Sequence, residues 1–509
     1  MSANPPDGSP HSPSDRPIRV RMAPSPTGPL HIGTARTSLY NYLFARHVGG
    51  TYVLRIEDTD LARSTADFER DILDNLHWLG ITWDEGPQHA GADAGGEDIG
   101  PYGPYRQSLR MDRYAREADR LLQSGAAYHC WCTTEELDAV RREQEANKEA
   151  PRYNGRCLNL TDADRAQFET DGRRPAVRFR VPAETIRFDD LIRGEVEFDN
   201  SLLGDFVIVR ADGVPLYHFV VVIDDEQMEI SHVIRGEDHL SNTPKHIALI
   251  RALGYREPVF GHIPLILNPD RTKMSKRKSQ TAISDYREQG YLPEAMVNFL
   301  AFLGWSPGTE EELFTLDELA SRFEVGEVHK AGAVFDRDRL DYLNGVYIRG
   351  LTAADLGARL RPLLPPSLTD DVLAGLVPLI KERMVRLTDA VELSGFLSEP
   401  DDVVASWWAV EDLLPKGRDI SDVVLALGAA REALAACDEW FADALEAAAR
   451  SAAEGLGWKA GDFFRPIRIA VTGKAVSPPL FGSIVLLGRE RSLARLAVAL
   501  DRLRAGAPT

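Results

Sequence analysis

The chain has 509 residues, 44% of them hydrophobic, which suits several domains with buried cores and excludes a disordered or fibrous protein. Its 59 Lys and Arg residues stand against 78 Asp and Glu residues, and the formal charge of −19 excludes a uniformly basic nucleic-acid-binding protein while allowing a local basic face. The sequence contains neither a run of about 18 apolar residues nor a signal-peptide pattern, so we expect a cytoplasmic protein that does not span a membrane.

The N-terminal part predicts a βαβ unit behind a polar tail. Residues 1–16 are rich in Pro and Ser and predict a disordered segment, and residues 18–22 alternate like a strand. The prolines of the following PSPTGP cannot continue a central strand, so the chain must leave the sheet and re-enter as a helix with His31 and Gly33 in its first turn. Unpaired N–H groups and the positive end of the helix dipole there predict an anion site. The helix should end at the glycine pair 49–50, before the strand TYVLRIED.

Further along the chain, the character of the pattern changes twice. Alternating strands and helices over residues 17–110 predict a parallel sheet with covering helices. Residues 111–210 contain the helix MDRYAREADRLLQSG, a group of three cysteines and the short strands AVRFRV and GDFVIVR, which together indicate an insertion. The α/β pattern resumes over 211–261, where YHFVVVIDD is predicted as a buried parallel strand and HVIRGED as another.

The last part of the chain combines a basic loop with a helical region. Residues 262–350 are mixed and contain DRTKMSKRKS at 270–279, which by itself fits a solvated basic loop or a nucleic-acid patch. Residues 351–509 are rich in alanine and leucine with helical periodicity, so we expect a helical bundle there.

Taken together, the HIG-type turn and the later KMSKR loop resemble the paired signature of class I aminoacyl-tRNA synthetases. In that class a carboxylate attacks the α-phosphate of ATP, and charge builds on the phosphorus and on the departing pyrophosphate. The resemblance implies that His31, Lys273 and Lys276 are catalytic. It places His31 and the helix N-terminus on one side of the phosphates and the two lysines, on a mobile loop, on the other. The ATP-binding residues it implies are His31, Gly33, Thr34, Lys273, Ser275 and Lys276.

The resemblance sharpens to bacterial-type glutamyl-tRNA synthetases, and it covers nearly the whole chain after residue 17. It is carried by RMAPSPTGPLHIGTAR, VLRIEDTD, GPYRQS, YHFVVVIDD, HVIRGEDH, KMSKRKS and YLPEAMVNFLAFLGW. The family implies a multidomain α/β plus all-α protein: a Rossmann-like parallel-sheet catalytic core with an α+β insertion, followed by a helical anticodon-binding region. The expected boundaries are a core over 17–110 and 211–261, an acceptor-binding insertion over 111–210, a stem-contact segment over 262–350 and an anticodon-binding region over 351–509.

Glutamate has two carboxylates and one ammonium, so a selective pocket needs two cations and one acid. By resemblance, Arg21 and Arg235 bracket the carboxylates, Glu57 takes the ammonium, and Ser25 and Tyr217 complete the pocket. The family implies ATP and Mg²⁺ as cofactors, tRNA(Glu) as partner and glutamyl-adenylate as intermediate. We expect a monomer.

For the tRNA, the family's anticodon-reading positions fall on Arg383, Arg468 and Ser477. Arg383 matches an arginine associated with rejecting the glutamine anticodon, although it could also belong to a solvated basic helix face. Three alternatives stay open: an enzyme that also charges tRNA(Gln), a relative that glutamylates a base of tRNA, and a binding protein that has lost catalysis. The nearest rival is an enzyme specific for glutamine. The C-terminal half argues against it, because glutaminyl and eukaryotic-type glutamyl enzymes resemble one another in having β-barrels there, whereas residues 351–509 predict helices.

The cysteine group predicts a structural zinc site in the insertion. Cys130, Cys132 and Cys157 are spaced like a zinc knuckle found in some family members, but the usual fourth ligand, a histidine, is replaced by Asn159. A related tRNA-modifying family resembles this pattern in using a tyrosine at the position of Tyr153. The alternative is three reduced cysteines packed together without metal.

Overall fold

The computed structural model describes residues 16–88, 98–274 and 280–506. The chain divides into two compact units. The first runs to Arg287 and includes Met296–Arg337, whereas the second comprises Glu288–Ala295 and the chain from Asp338 onward. Ser275 and Lys276, and all but the last residue of the tail predicted over 1–16, lie outside the described residues. The predicted domain boundaries stay predictions.

The first unit contains all the strands of the described chain. They are β1 (Arg19–Met22), β2 (Thr51–Leu54), β3 (Gly86–Pro87), β4 (Asp98–Ile99), β5 (Ala127–Cys130), β6 (Ala176–Phe179), β7 (Thr185–Asp190), β8 (Gly194–Asp199), β9 (Phe206–Val209), β10 (His232–Gly236), β11 (Val259–Ile263), β12 (Ile266–Leu267) and β13 (Ala333–Val334). Its helices begin with α1 (Ile32–Val48), α2 (Ala66–Trp78), α3 (Met111–Gln123), α4 (Thr134–Ala146), α5 (Asp162–Thr170), α6 (Tyr217–Gln227) and α7 (Thr243–Leu253). The helices that follow are α8 (Ile283–Glu288), α9 (Pro293–Ala301) and α10 (Leu316–Arg322), of which the last residue of α8 and the first three residues of α9 are assigned to the second unit.

The main sheet has the order β2-β1-β10-β11-β7-β8. Its first five strands are parallel, and β8 returns antiparallel to β7 as a hairpin. The carboxyl ends of β1, β2 and β10 therefore meet at one edge of the sheet, which is where open α/β sheets place their ligands. In a separate antiparallel sheet, β5-β6-β9, the strand β5 ends at Cys130. The predicted parallel sheet is confirmed, and β7 and β8 of the expected insertion extend it.

The predicted βαβ unit is confirmed as β1, α1 and β2, with one difference in the helix start. His31 is the N-cap of α1 with extended backbone, rather than part of its first turn. Gly49 ends the helix at φ 66°, a left-handed conformation that glycine adopts without strain. Most side chains of α1 between Ile32 and Ala45 are buried, so the helix is packed into the core along nearly its whole length.

The prediction that YHFVVVIDD forms a strand is wrong, because this segment is the helix α6. A continuous apolar run has no period that separates a buried strand from a buried helix. Here successive residues from Phe219 to Ile223 are all buried, so apolar side chains face protein on every side of the helix. The helix puts Tyr217 at its N-terminus and the acidic pair Asp224 and Asp225 near its C-terminus.

The second unit is helical throughout its described part, as predicted for residues 351–509. After α11 (Arg337–Gly350) come α12 (Ala353–Leu360), α13 (Asp370–Ile380), α14 (Asp389–Ser398), α15 (Asp401–Ser406), α16 (Ile420–Ala435), α17 (Ala442–Gly455), α18 (Ala460–Thr472), α19 (Leu480–Leu487) and α20 (Arg489–Gly506). A continuous apolar core of Leu, Ala, Ile, Val and Phe side chains joins these helices. Among the described residues, no helix has the length and apolar character needed to cross a bilayer.

Candidate active site

A cleft of about 990 Å³ opens at the carboxyl edge of the main sheet, within the first unit. Its walls include the ends of β1 and β10, the segment after β2 and the N-terminus of α1. All the predicted ATP-binding and glutamate-binding residues within the described chain line this one cleft: Arg21, Ser25, His31, Gly33, Thr34, Glu57, Tyr217, Arg235 and Lys273. Ser275 and Lys276 fall outside the described residues, so their predicted roles stay predictions.

The phosphate side of the cleft is built on the start of α1. Nδ1 of His31 accepts the backbone N–H of Gly33 at 2.9 Å, and the N–H of Ile32 donates to the carbonyl of Thr281 at 2.8 Å. These first two N–H groups of the helix therefore have partners within the protein, unlike the unpaired groups predicted from the sequence. The positive end of the helix dipole still faces the cleft. Across the cleft, Nζ of the half-exposed Lys273 lies 3.4 Å from a carboxylate oxygen of Asp238.

The two predicted substrate-binding arginines differ in their surroundings. Arg21 already forms a bidentate ion pair, because its Nε and Nη2 lie 3.1 and 3.3 Å from the carboxylate of Asp225. Arg235 is only 4% exposed, yet it has no ion pair with any carboxylate in the described chain. Burial lowers the pKa of Arg235, since the charged form loses hydration. A buried cation without a counter-ion, at the wall of a cleft, is suited to an anionic ligand.

Opposite these cations lies Glu57, the predicted ammonium ligand. Its side chain is buried and accepts a hydrogen bond from Nη2 of the fully buried Arg55 at 3.1 Å. Burial raises the pKa of Glu57, and the charges of Arg55 and Arg21 only partly offset that effect. Arg55 also pairs with Asp225 at 2.8 Å, so one carboxylate and two arginines hold this wall of the cleft together.

Tyr217 and Ser25 complete the predicted pocket. The hydroxyl of Tyr217 lies 3.0 Å from Nδ1 of His239, and burial raises the pKa of Tyr217 to about 12, so the phenol stays protonated at neutral pH. Ser25 is exposed in the turn after β1, where its carbonyl accepts the N–H of Thr27 at 2.8 Å. The pocket therefore has neutral hydrogen-bonding groups between its charged ones.

Sequence reasoning missed a group of histidines around Arg235. His246, His262 and the backbone carbonyl of His239 all accept hydrogen bonds from its guanidinium, and His218 lies behind His246. Burial lowers the pKa of His218 and of His239 to about 4, and it lowers the pKa values of His246 and His262 as well. The rings are thus neutral at physiological pH. His239 stands in the quoted motif HVIRGEDH and His218 in YHFVVVIDD, whereas no quoted motif contains His246 or His262.

In the second unit, the structure brings the three predicted anticodon-reading residues together. Nη1 of Arg468 donates to Oγ of the buried Ser477 at 2.7 Å, and the nearby charge of Arg383 adds to burial in lowering the pKa of Arg468. Neither arginine forms an ion pair within the described chain. The neighbours of Arg383 are engaged elsewhere, since Lys381 donates to the carbonyl of Leu351 and Arg386 binds a carboxylate.

The predicted zinc ligands also lie together. The Sγ atoms of Cys130, Cys132 and Cys157 lie within 4.8 Å of one another, and the Cys132 to Cys157 distance is 3.5 Å. A tetrahedral zinc with Zn–S bonds of about 2.3 Å separates two sulfurs by about 3.8 Å, so this arrangement fits a metal. The hydroxyl of Tyr153 lies 3.5 Å from Cys130 and 3.6 Å from Cys132. Asn159, which replaces the usual histidine, is exposed at the end of a short turn.

Comparison with known proteins covers both units. The family described as "tRNA synthetases class I (E and Q), catalytic domain" matches residues 17–342, and the family described as "Anticodon binding domain" matches residues 355–500. The chain is 45% identical to a glutamate–tRNA ligase of Symbiobacterium thermophilum over 497 residues, which is 94% of this chain and 99% of that protein. A glutamate–tRNA ligase of Acidothermus cellulolyticus is 46% identical over 501 residues, 96% of each chain.

Among solved structures, a glutamate tRNA ligase from Elizabethkingia meningosepticum, crystallised in complex with its amino acid, superposes with a TM-score of 0.82 at 33% identity. The match covers 96% of this chain and 100% of that one. A glutamate-tRNA synthetase from Elizabethkingia anophelis gives a TM-score of 0.80, again at 33% identity and over 96% of this chain and 100% of that one.

Proposed function

The chain belongs to the glutamate–tRNA ligases, a family of class I aminoacyl-tRNA synthetases, and from that premise we propose that its cleft binds ATP and glutamate side by side. The N-terminus of α1 with His31, Gly33 and Thr34 serves the phosphates on one wall. Arg21, Arg235 and Glu57 serve the amino acid on the other. The support for this assignment is that predicted residues from five separate motifs of the sequence line a single cavity.

In the proposed reaction, a carboxylate oxygen of glutamate attacks the α-phosphate of ATP and pyrophosphate leaves, which forms glutamyl-adenylate. His31, Lys273 and Lys276 stabilise the negative charge that develops on the phosphate oxygens and on the leaving group. Mg²⁺, when bound with ATP, supplies further neutralisation of the phosphates. A terminal ribose hydroxyl of tRNA then attacks the activated carbonyl and AMP leaves. The reaction as proposed requires no covalent bond to a protein side chain.

The observation that carries the choice of amino acid is the uncompensated charge of Arg235. Glutamine carries one carboxylate and glutamate carries two, so only glutamate can supply a carboxylate to each of Arg21 and Arg235. Glu57 attracts the ammonium common to all amino acids. The pocket therefore favours glutamate over glutamine, and the missing counter-ion of Arg235 supports that preference.

For tRNA, we propose that Arg383 and Arg468 read the anticodon, with Ser477 holding Arg468 in place. Two arginines without acidic partners in the described chain are suited to the phosphates and base edges of an RNA loop. Rejection of tRNA(Gln) by Arg383 is part of this proposal, and charging of both tRNAs is its alternative. The helical second unit speaks against a base-glutamylating relative, because the resemblance implies that such proteins lack it. The intact His31 and Lys273 speak against a binding protein without catalysis.

We further propose a structural zinc in the first unit, held by Cys130, Cys132, Cys157 and Tyr153. The three Sγ atoms lie within 4.8 Å of one another, and thiolate sulfur is a usual zinc ligand. Arg178 lies over the Tyr153 ring at 3.8 Å from its centroid and fixes the phenol beside the thiols. Bound zinc would join β5 to the segment around Cys157 and so stabilise the acceptor-binding insertion. A monomeric state and a cytoplasmic location complete the proposal.

The test is an aminoacylation assay with the purified protein, radiolabelled glutamate or glutamine, and transcripts of tRNA(Glu) and tRNA(Gln). We expect ATP-dependent charging of tRNA(Glu) with glutamate and no charging with glutamine. Charging of both tRNAs with glutamate would replace the proposal by a non-discriminating enzyme. Absence of any charged tRNA, with the protein folded and tRNA still bound, would contradict catalysis.

A further inference from the structure

The guanidinium of Arg235 is held by neutral groups only. Its Nε–H donates to Nε2 of His262 at 3.2 Å, Nη1 donates to Nδ1 of His246 at 3.1 Å, and Nη2 donates to Oγ1 of Thr243 at 2.9 Å. A guanidinium has five N–H groups, and Nη2 also donates to the carbonyl of His239, so four bonds orient the group and one N–H is left for a ligand. The groups that orient the guanidinium of Arg235 therefore do not neutralise its charge.

Behind His262 lies a buried carboxylate. Oδ2 of Asp190 lies 2.5 Å from Nδ1 of His262, and both side chains are buried from solvent. An ionised carboxylate only accepts hydrogen bonds, so the ring proton of the neutral His262 must sit on Nδ1. Burial and the charge of Arg235 lower the pKa of His262, so its ring is neutral. His262 and backbone N–H groups hold the pKa of Asp190 below its usual value despite burial, so the carboxylate is ionised.

With its proton on Nδ1, His262 presents a bare Nε2 to two donors at once. The Nε–H of Arg235 and the hydroxyl of Thr243, 3.1 Å away, converge on that atom. The opposite tautomer would point an Nε2–H at both donors and break the bond to Arg235. The orientation of the guanidinium thus depends on a carboxylate that does not touch it.

We propose that Asp190 and His262 are positioning residues for amino-acid recognition: Asp190 sets the tautomer of His262, and His262 orients Arg235 without neutralising its charge. A carboxylate at the place of His262 would cancel that charge, as Asp225 does for Arg21. The neutral ring keeps the cation available for a substrate carboxylate. This inference rests on the proposed assignment of Arg235 to a carboxylate of glutamate.

The sharpest perturbation is Asp190→Asn. Oδ1 of Asp190 accepts the backbone N–H groups of Ile192, Arg193 and His262 at 3.0, 2.9 and 3.2 Å, and the asparagine oxygen can keep these bonds. The amide nitrogen then replaces Oδ2 and donates toward His262, which favours the wrong tautomer. We expect the KM for glutamate to rise about tenfold or more, the effect of losing one hydrogen bond from a charged group, with the KM for ATP unchanged.

His262→Gln provides the second arm, because a glutamine oxygen at the place of Nε2 accepts from Arg235 whatever residue stands at 190. The four proteins, unmodified, Asp190→Asn, His262→Gln and the double variant, are compared in glutamate-dependent aminoacylation of tRNA(Glu), with melting temperatures measured in parallel. Asp190→Asn should raise the KM for glutamate strongly in the protein that keeps His262. In the His262→Gln variant, the same change should raise it less than about threefold. Asp205→Asn is the matched control, because the carboxylate of this aspartate accepts hydrogen bonds from the hydroxyl of Tyr128 and the N–H of Val181, away from Arg235, and the change should leave the KM unchanged.

Two results would overturn the inference, because each would mean that Asp190 acts only on the loop whose backbone N–H groups it binds. The first is that Asp190→Asn raises the KM for glutamate by the same factor in the unmodified protein and in the His262→Gln variant. The second is that it raises the KM for glutamate and the KM for ATP equally. Arg235→Ala in the same assay separates this failure from a failure of the proposed function. If Arg235→Ala raises the KM for glutamate and Asp190→Asn does not, the positioning role alone is refuted. If Arg235→Ala leaves that KM unchanged, the assignment of Arg235 to the substrate carboxylate is refuted.

Discussion

Replacement of Arg235 by alanine tests the amino-acid pocket most directly. The change removes a buried guanidinium that has no counter-ion in the described chain, so a substrate carboxylate bound there would lose its direct partner. Truncation of one member of a buried charge pair costs about 2–5 kcal/mol, which corresponds to a factor of about 30 to 4,000 in kcat/KM.

The structure narrows this range. Arg21 is the other cation predicted for the carboxylates, but its charge is already shared with Asp225 through two contacts of 3.1 and 3.3 Å. Because Arg21 cannot replace the missing charge in full, we expect a loss of at least about 100-fold, above the lower end of the range given by such truncations. Arg235→Lys should lose less, since it keeps the charge but not the hydrogen bonds to the histidines.

The assay is kcat/KM for glutamate at saturating ATP and tRNA(Glu), with Arg187→Ala as the control. Arg187 is exposed and pairs with Glu197 at 2.7 Å on the β7–β8 hairpin, so its removal should leave kcat/KM unchanged. A correctly folded Arg235→Ala protein that keeps kcat/KM within about threefold of the unmodified protein would refute the reasoning, because another group would then have to bind the carboxylate.

Three further predictions concern the ammonium, the tRNA and the metal. Burial raises the pKa of Glu57, and only its ionised form attracts the ammonium, so the KM for glutamate should rise as the pH falls through that raised pKa. The Glu57→Gln variant should have a high KM for glutamate at every pH. If the KM of this variant depends on pH as that of the unmodified protein does, the role of Glu57 is contradicted. Arg383→Gln should increase charging of tRNA(Gln) relative to tRNA(Glu), whereas Arg431→Gln on an exposed helix face should not; equal ratios in both variants would remove Arg383 from anticodon reading. Elemental analysis of protein purified without chelator should find about one zinc per chain. The Cys157→Ser variant should lose this zinc, whereas the control variant Cys437→Ser should keep it. If the unmodified protein contains no zinc, the three cysteines are packing residues only.

Local signals in the sequence were sufficient for much of the scaffold. The prolines after β1 and the glycine at position 49 act through their own backbone geometry, so the start and end of α1 could be predicted to within a residue. The helices after residue 351 follow from a periodicity that requires only neighbouring turns. The candidate cleft could be predicted because its residues stand in motifs at the ends of parallel strands, and such ends meet at one edge of a sheet.

Interactions between distant segments decided what the sequence could not. The run YHFVVVIDD fits a buried strand as well as a buried helix, and only the packing of its five successive apolar residues on all sides selected the helix α6. Asp225 neutralises Arg21 from 204 positions away, and Asp190 reaches His262 across 72, so no local pattern could show which arginine keeps its charge for a ligand. Residue types and turns determine the elements of this protein, whereas the charge state of its pocket depends on contacts that exist only after the chain has folded.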